Sequence, residues 1–333
     1  MRTPLMLLAL VAHLPFVATA PAQEWPSRPM TMVVPFAPGG GADLLGRILA
    51  PPLSELLGQP VTVENVGGGG GMTAAFRVSR AAPDGYQFVL GTTGTHAQNQ
   101  TLYKNPLYQA ATDFTPVALV AEQPILLITR KDFPADNLSD FIAYVRANHE
   151  KMQFGSAGTG SGVHLACVLL NAASGVNVVH VPYRGTAPAM QDLIAGRIDY
   201  QCPVITPVVP QIQGGLVKAI ATLTAKRTPI LPDLATAQEQ GLRDFEAYIW
   251  FAIFLPKGTP ADIAHKLQHA IAAAENLPAV QERLKEIGAA PIAPERQTPE
   301  YLAAFVEREV AKWAAPIRRA ASGWSERHRP LRS

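Results

Sequence analysis

Two stretches of this chain carry an apolar, strand-like run straight into a glycine-rich loop and then into a helical pattern, and this repeated construction constrains the fold more than any other feature. The first is a strand expected over 30–36, the loop Ala37-Pro38-Gly39-Gly40-Gly41-Ala42-Asp43, and a helix from Leu44 interrupted at Pro51-Pro52. The second is a short strand over 152–155, the loop Ser156-Ala157-Gly158-Thr159-Gly160-Ser161-Gly162, and a helix over 163–173. A loop that passes from strand to helix brings the helix back over a sheet, which favours doubly wound α/β architecture over an all-β sandwich. Strands over 61–64 and 86–90, with a helix over 72–80 that follows five glycines, complete three parallel strands ending at one rim. The pattern restarts with strands over 125–129, 178–181, 198–202 and 216–223 and helices over 138–148 and 187–195. Two α/β lobes are expected, and 333 residues of which 48% are hydrophobic suffice for two buried cores. Amphipathic helices over 260–274 and 299–314 should pack back on the first lobe, and the basic stretch 318–333 should fray.

The N-terminus speaks to compartment. Met1 and Arg2 precede an apolar stretch over 5–17, and Ala18-Thr19-Ala20-Pro21-Ala22 supplies small residues for cleavage after Ala20 or Ala22, the pattern of a secretory signal peptide. An anchoring helix needs about 20 apolar residues, and this shorter stretch contains His13 and Pro15. With 28 Lys plus Arg against 26 Asp plus Glu, the formal charge of +2 excludes a general nucleic-acid binder.

Unpaired backbone N–H groups and the positive end of the helix dipole meet where a glycine loop enters a helix, so each loop is a candidate anion site; the alternative is that the glycines only make tight turns. Two to four such donors per carboxylate could hold a small diacid without an arginine clamp. Nucleotide loops fail on spacing: neither G-x-x-x-x-G-K-[ST] nor G-x-G-x-x-G occurs, so no cofactor is expected. Ser156 and Ser161 lack the flanking glycines of a nucleophile elbow, and a Ser161, His164, Asp192 triad is the weaker reading of residues suited to capping. His265 and His269 lie four apart without a Glu or Cys to complete a metal site, so no metal is expected. Cys167 and Cys202 are the only cysteines, which leaves one disulfide or two buried thiols.

The motifs Val34-Pro35-Phe36-Ala37-Pro38-Gly39-Gly40-Gly41-Ala42-Asp43, Leu57-Gly58-Gln59-Pro60-Val61-Thr62-Val63-Glu64-Asn65, Pro83-Asp84-Gly85-Tyr86, Gly155-Ser156-Ala157-Gly158 with His164-Leu165, and His180-Val181-Pro182-Tyr183-Arg184-Gly185-Thr186-Ala187-Pro188-Ala189 occur in this order. Together they resemble the Bug family, the extracytoplasmic solute receptors of tripartite tricarboxylate transporters. The resemblance implies a monomeric, periplasmic, two-lobed binding protein of the type II, Venus-flytrap kind, with lobe 1 formed by 23–122 and 250–325, lobe 2 by 123–249, and a tail at 326–333. It implies a ligand cleft built from Phe36, Pro38, Gly39, Gly40, Gly41, Ala42 and Asp43 on one side and Ala157, Gly158, Thr159, Gly160, Ser161 and His164 on the other. Thr92, Thr95, His96, Arg184 and Gly185 belong to the same expectation. Pro203 stands where many members carry an acidic residue, which points away from amino-acid ligands. The implied partners are a small organic carboxylate and integral-membrane permease subunits. A secreted serine hydrolase and a receptor that signals to a membrane kinase are the competing functions.

Overall fold

The computed structural model describes residues 24–327, the last seven of these as backbone only. The expected signal peptide over 1–22, residue 23 and the last six residues lie outside the described residues. In chain order the strands are β1 (Met30–Val34), β2 (Val61–Asn65), β3 (Gln87–Thr92), β4 (Phe114–Pro124), β5 (Leu126–Arg130), β6 (Gln153–Ser156), β7 (Val179–Pro182), β8 (Tyr200–Gln201), β9 (Val217–Thr222) and β10 (Tyr248–Pro256). The helices are α1 (Gly41–Leu57), α2 (Met72–Ser79), α3 (Asn99–Leu102), α4 (Leu138–Asn148), α5 (Gly162–Ala173), α6 (Thr186–Ile194), α7 (Val209–Gln213), α8 (Ala261–Glu275), α9 (Pro278–Glu286) and α10 (Pro299–Arg327).

Two five-stranded sheets result, ordered β2-β1-β3-β10-β4 and β7-β6-β8-β5-β9. Three parallel strands start each sheet, β2-β1-β3 and β7-β6-β8, and in each the next strand is antiparallel. The lobes are therefore mixed and not purely parallel. The reversed strands, β10 and β5, lie in the segments by which the chain changes lobe. One crossing is at Ile125, between β4 and β5; the other follows β9 and enters β10. The Leu223 N–H donates to the Ile125 carbonyl at 2.8 Å and the Ala247 N–H to the Leu223 carbonyl at 2.7 Å, tying the crossings together.

β4 and β10 are the two longest strands and were not anticipated. Both run through the core: Val117 to Ala121 on β4 and Trp250 to Leu255 on β10 are buried throughout. A strand buried on both faces shows no polar alternation by which to recognise it. α1 is continuous through Pro51 and Pro52, against the expected interruption. Its apolar stripe, Leu45, Ile48, Leu49, Leu53 and Leu57, stays in register against the sheet, while Pro51 lies exposed on the outer side. α10 likewise continues to Arg327 instead of fraying from 318. It packs on β4 and α3 in the first lobe and on α5 in the second.

Candidate functional site

α1 begins directly after β1 and the first glycine loop. Gly40 is its N-cap and offers no side chain, so the first N–H groups of the helix have no intrahelical or side-chain acceptor. Gly39, at φ +80°, makes the turn into the cap. Asp43, the last residue of the expected loop, is instead the third residue of the helix, reaching back beneath the loop. Its Oδ2 accepts the Gly39 N–H at 2.9 Å, its Oδ1 accepts from Asn65 Nδ2 at 2.9 Å, and Arg47 Nε lies 3.1 Å from both oxygens. Burial would raise its pKa, but Arg47, the Gly39 N–H and Asn65 outweigh that and hold the carboxylate below its ordinary value. Asn65 also donates to the Phe36 carbonyl at 3.0 Å, so one polar cluster fixes both ends of the loop.

The second loop is braced by hydroxyls and imidazoles. Ser161 caps α5 by accepting the His164 N–H, and its own hydroxyl donates to the Gly158 carbonyl at 2.7 Å. His164 Nδ1 accepts the Gly160 N–H at 3.3 Å. Ser156 Oγ accepts the Gly158 N–H at 3.1 Å and lies 2.7 Å from His180 Nε2. Burial, with the neighbouring His180 adding to it, lowers the His164 pKa to about 3, and burial lowers that of His180 to about 4. Both rings are neutral at physiological pH and act as loop braces, not as cations.

A third helix start completes the site. α6 follows β7 through Arg184-Gly185, and its cap, Gly185, has no side chain either. One cavity between the lobes is lined by Gly40, Gly41 and Ala42 at the start of α1, by Ala157, Ser161, Gly162 and Val163 at the start of α5, and by Thr186 at the start of α6. Phe36, Thr92, Val204, Ile249 and Phe251 supply the remaining walls. No lining side chain is charged, so the positive potential here comes from the ends of three helices. The lobes touch around it: the Ala37 N–H of the first donates to the Arg184 carbonyl of the second at 3.0 Å.

Of the expected residues, Phe36, Gly40, Gly41, Ala42, Thr92, Ala157 and Ser161 line the cavity. Pro38, Gly39 and Thr159 are exposed and outside the lining, and Arg184 is exposed with its carbonyl engaged across the lobes. Gly158, Gly160 and Gly185 shape the second-lobe loops. Asp43 and His164 support the loops from behind. Thr95 and His96 also lie beneath the surface. Thr95 Oγ1 accepts the Thr92 N–H at 2.8 Å, and His96, fully buried, stacks on Phe254 at 3.9 Å between centroids. Pro203 is buried with its carbonyl accepting the Leu126 N–H at 2.9 Å, and its neighbour Val204 faces the cavity. Ser161, His164 and Asp192 form no triad, because the Ser161 hydroxyl is committed to Gly158 and Asp192 to Tyr183 and Arg197. His265 and His269 are exposed on α8. Cys167 of α5 and Cys202, just after β8, form a disulfide with their Cα atoms 5.5 Å apart.

Gly162 lines the cavity as the last residue of the second loop, whereas Val163, Thr186, Val204, Ile249 and Phe251 were missed. Thr186 carried the same strand-loop-helix signal as the other two starts. Ile249 and Phe251 alternate along a continuous apolar run that reads as a buried strand once its length is noticed.

A family model for the tripartite tricarboxylate transporter family receptor matches residues 45–321. The chain is 40% identical to MatC of Rhodopseudomonas palustris, solved with bound malate, at a TM-score of 0.86, covering 88% of this chain and 100% of that one. It is 42% identical to the periplasmic binding protein BugD, also at 0.86, over 89% of this chain and 99% of that one. An R. palustris protein solved with adipate is 36% identical at 0.85, over 90% and 99% respectively. The helix starts, the mixed sheets and these likenesses agree, and the chain belongs to the Bug-type receptors of the tripartite tricarboxylate transporter family.

Proposed function

We propose that this protein is a periplasmic receptor that closes its two lobes on a small dicarboxylate and delivers it to an integral-membrane permease. The observation that carries the reading is the meeting of three helix N-termini at one cavity with no charged side chain in its lining. Backbone N–H groups there match carboxylate oxygens, each such bond worth about 1.5–3 kcal/mol. The apolar walls, Phe36, Val204, Ile249 and Phe251, match a short hydrocarbon between two carboxylates. Bound malate and bound adipate in two relatives support the same ligand class. The moving bodies are 23–122 with 250–325 and 123–249. The signal peptide expected at the N-terminus would carry the mature chain to the periplasm. Among the described residues no helix is long and apolar enough to cross a membrane.

No acidic side chain lines the cavity to receive an ammonium group. Aspartate should therefore bind less tightly than malate or succinate. A thermal-shift screen of C4 to C6 diacids tests the reading, since a ligand at 100 times its Kd adds about 2.7 kcal/mol. At least one diacid should raise the midpoint, and aspartate should raise it less. A flat screen, or a preference for aspartate, contradicts the proposal.

A further inference from the structure

Gly94 opens the helical turn Gly94–Gln98 in the first lobe and lies outside the cavity lining. A Cβ at this position would lie 2.6 Å from the Gly162 nitrogen, 3.1 Å from the Gly160 oxygen and 3.2 Å from the Ser161 carbonyl carbon. All three atoms are backbone of the second lobe. The φ of Gly94 is outside the left-handed region, so its own backbone conformation does not demand a glycine, and the three atoms nearest its Cβ position all belong to the other lobe. Gly70, from the run of five glycines, meets the same lobe, although its own φ of +62° also calls for glycine, so Gly94 is the position that isolates the contact. A Cβ at Gly70 would lie 2.2 Å from the Thr159 oxygen and 2.7 Å from the Ser161 nitrogen, again second-lobe backbone. Nearby, the Tyr103 hydroxyl of the first lobe donates to the Thr159 carbonyl at 3.0 Å.

We propose that Gly70, Gly94 and Tyr103 form a closure seam, a set of positioning residues that seat the second glycine loop against the first lobe without touching the ligand. The inference rests on the receptor reading above. The seated segment, 159–162, leads into the first turn of α5, which lines the cavity. A methyl group at position 94 meets backbone and not a flexible side chain, so the loop must stand off. The α5 N–H groups then withdraw from a carboxylate held by α1. With the lobes apart the same methyl faces the cleft, and the unliganded fold is untouched. Gly94 and Gly70 thus set how completely the lobes close, and with it how long the ligand stays.

The test compares wild type, Gly94→Ala and Tyr103→Phe by calorimetry, stopped-flow kinetics and small-angle scattering. The probe is whichever of malate, succinate, glutarate and adipate the wild type binds. Gly94→Ala should weaken binding by about tenfold or more through faster dissociation, with the association rate changed by less than about twofold. It should keep the unliganded melting midpoint, and its radius of gyration should shrink less on saturation than that of wild type. Tyr103→Phe, which adds no volume and removes one cross-lobe hydrogen bond, should weaken binding about three- to tenfold. Wild-type affinity and full compaction in Gly94→Ala overturn the seam while leaving the receptor reading intact. A wild type that binds none of the four diacids overturns both. Should Gly94→Ala fail to fold, Tyr103→Phe decides alone, and unchanged dissociation in that variant overturns the seam.

Discussion

Asp43 is buried under the first loop with both carboxylate oxygens occupied, and its work is to hold Gly39 and Asn65 rather than to meet a ligand. Arg47 is half exposed, so the ion pair itself contributes little and the bonds from Gly39 and Asn65 dominate. Asp43→Ala should lower stability by about 2 kcal/mol and weaken ligand binding by releasing the loop, measured by urea melts and calorimetry. Equal stability would remove Asp43 from the loop's support. Glu275 of α8 is a different kind of buried acid. One oxygen accepts from Gln297, the other has no hydrogen-bond partner, and burial raises its pKa to about 8 despite the bond from Gln297. Its folded form keeps a proton that the unfolded chain releases above about 4.5, so it withdraws stability as pH rises from there through 8. Glu275→Gln should be more stable than wild type at pH 8, with the gain vanishing below about pH 4.5. A gain independent of pH would contradict this. The histidines act with the opposite sign. His96, His164 and His180 have pKa values lowered by burial to about 3, 3 and 4, so the unfolded chain binds more protons and stability falls as pH drops below about 6.5.

At the scale of elements, the site is three repeats of one device, a strand that ends in a loop and opens a helix. Two of the three were legible because glycine-rich loops stand out in sequence. The third, before Thr186, was less visible because Arg184-Gly185 is shorter and holds a single glycine. The strands that hold the lobes together were illegible for another reason. β4 and β10 pair across more than a hundred residues of chain and are buried on both faces, so no polar alternation marks them, and the aromatic and β-branched content of β10 is the one local signal of a strand. Helix α5 is secured by chemistry that sequence left open. The Cys167–Cys202 disulfide closes a separation of 35 residues and ties the helix behind the second loop to the end of β8. The chain-entropy account assigns such a loop about 3–4 kcal/mol. A Cys167→Ala, Cys202→Ala double variant should lose about that much stability and release ligand faster, and the oxidised wild type should offer no alkylatable thiol. Two alkylatable thiols without reduction would contradict the bridge.

For the whole molecule, each lobe brings its own helix starts to the cleft, and the two crossings, at Ile125 and at Ala247, are both hydrogen-bonded to Leu223. On the proposed receptor function, a ligand in this cleft is held from both sides. Sequence disclosed the two lobes and most of the cleft's polar floor. It did not disclose the apolar walls, Val204, Ile249 and Phe251, which come together only when β10 enters the first sheet beside the second lobe. Gly40 is where the central claim is most exposed. Its Cβ position is free of close contacts, the nearest atom being 3.8 Å away, so a larger side chain there enters the cavity without disturbing the loop's packing. The direct measurement is calorimetric titration of the mature protein with a C4 to C6 diacid and with the dimethyl ester of the same acid. Recognition by backbone donors and helix dipoles predicts one molecule of diacid bound per chain, no binding of the uncharged ester, and loss of diacid binding in Gly40→Val. Equal binding of acid and ester, or unaltered diacid affinity in Gly40→Val, would contradict it.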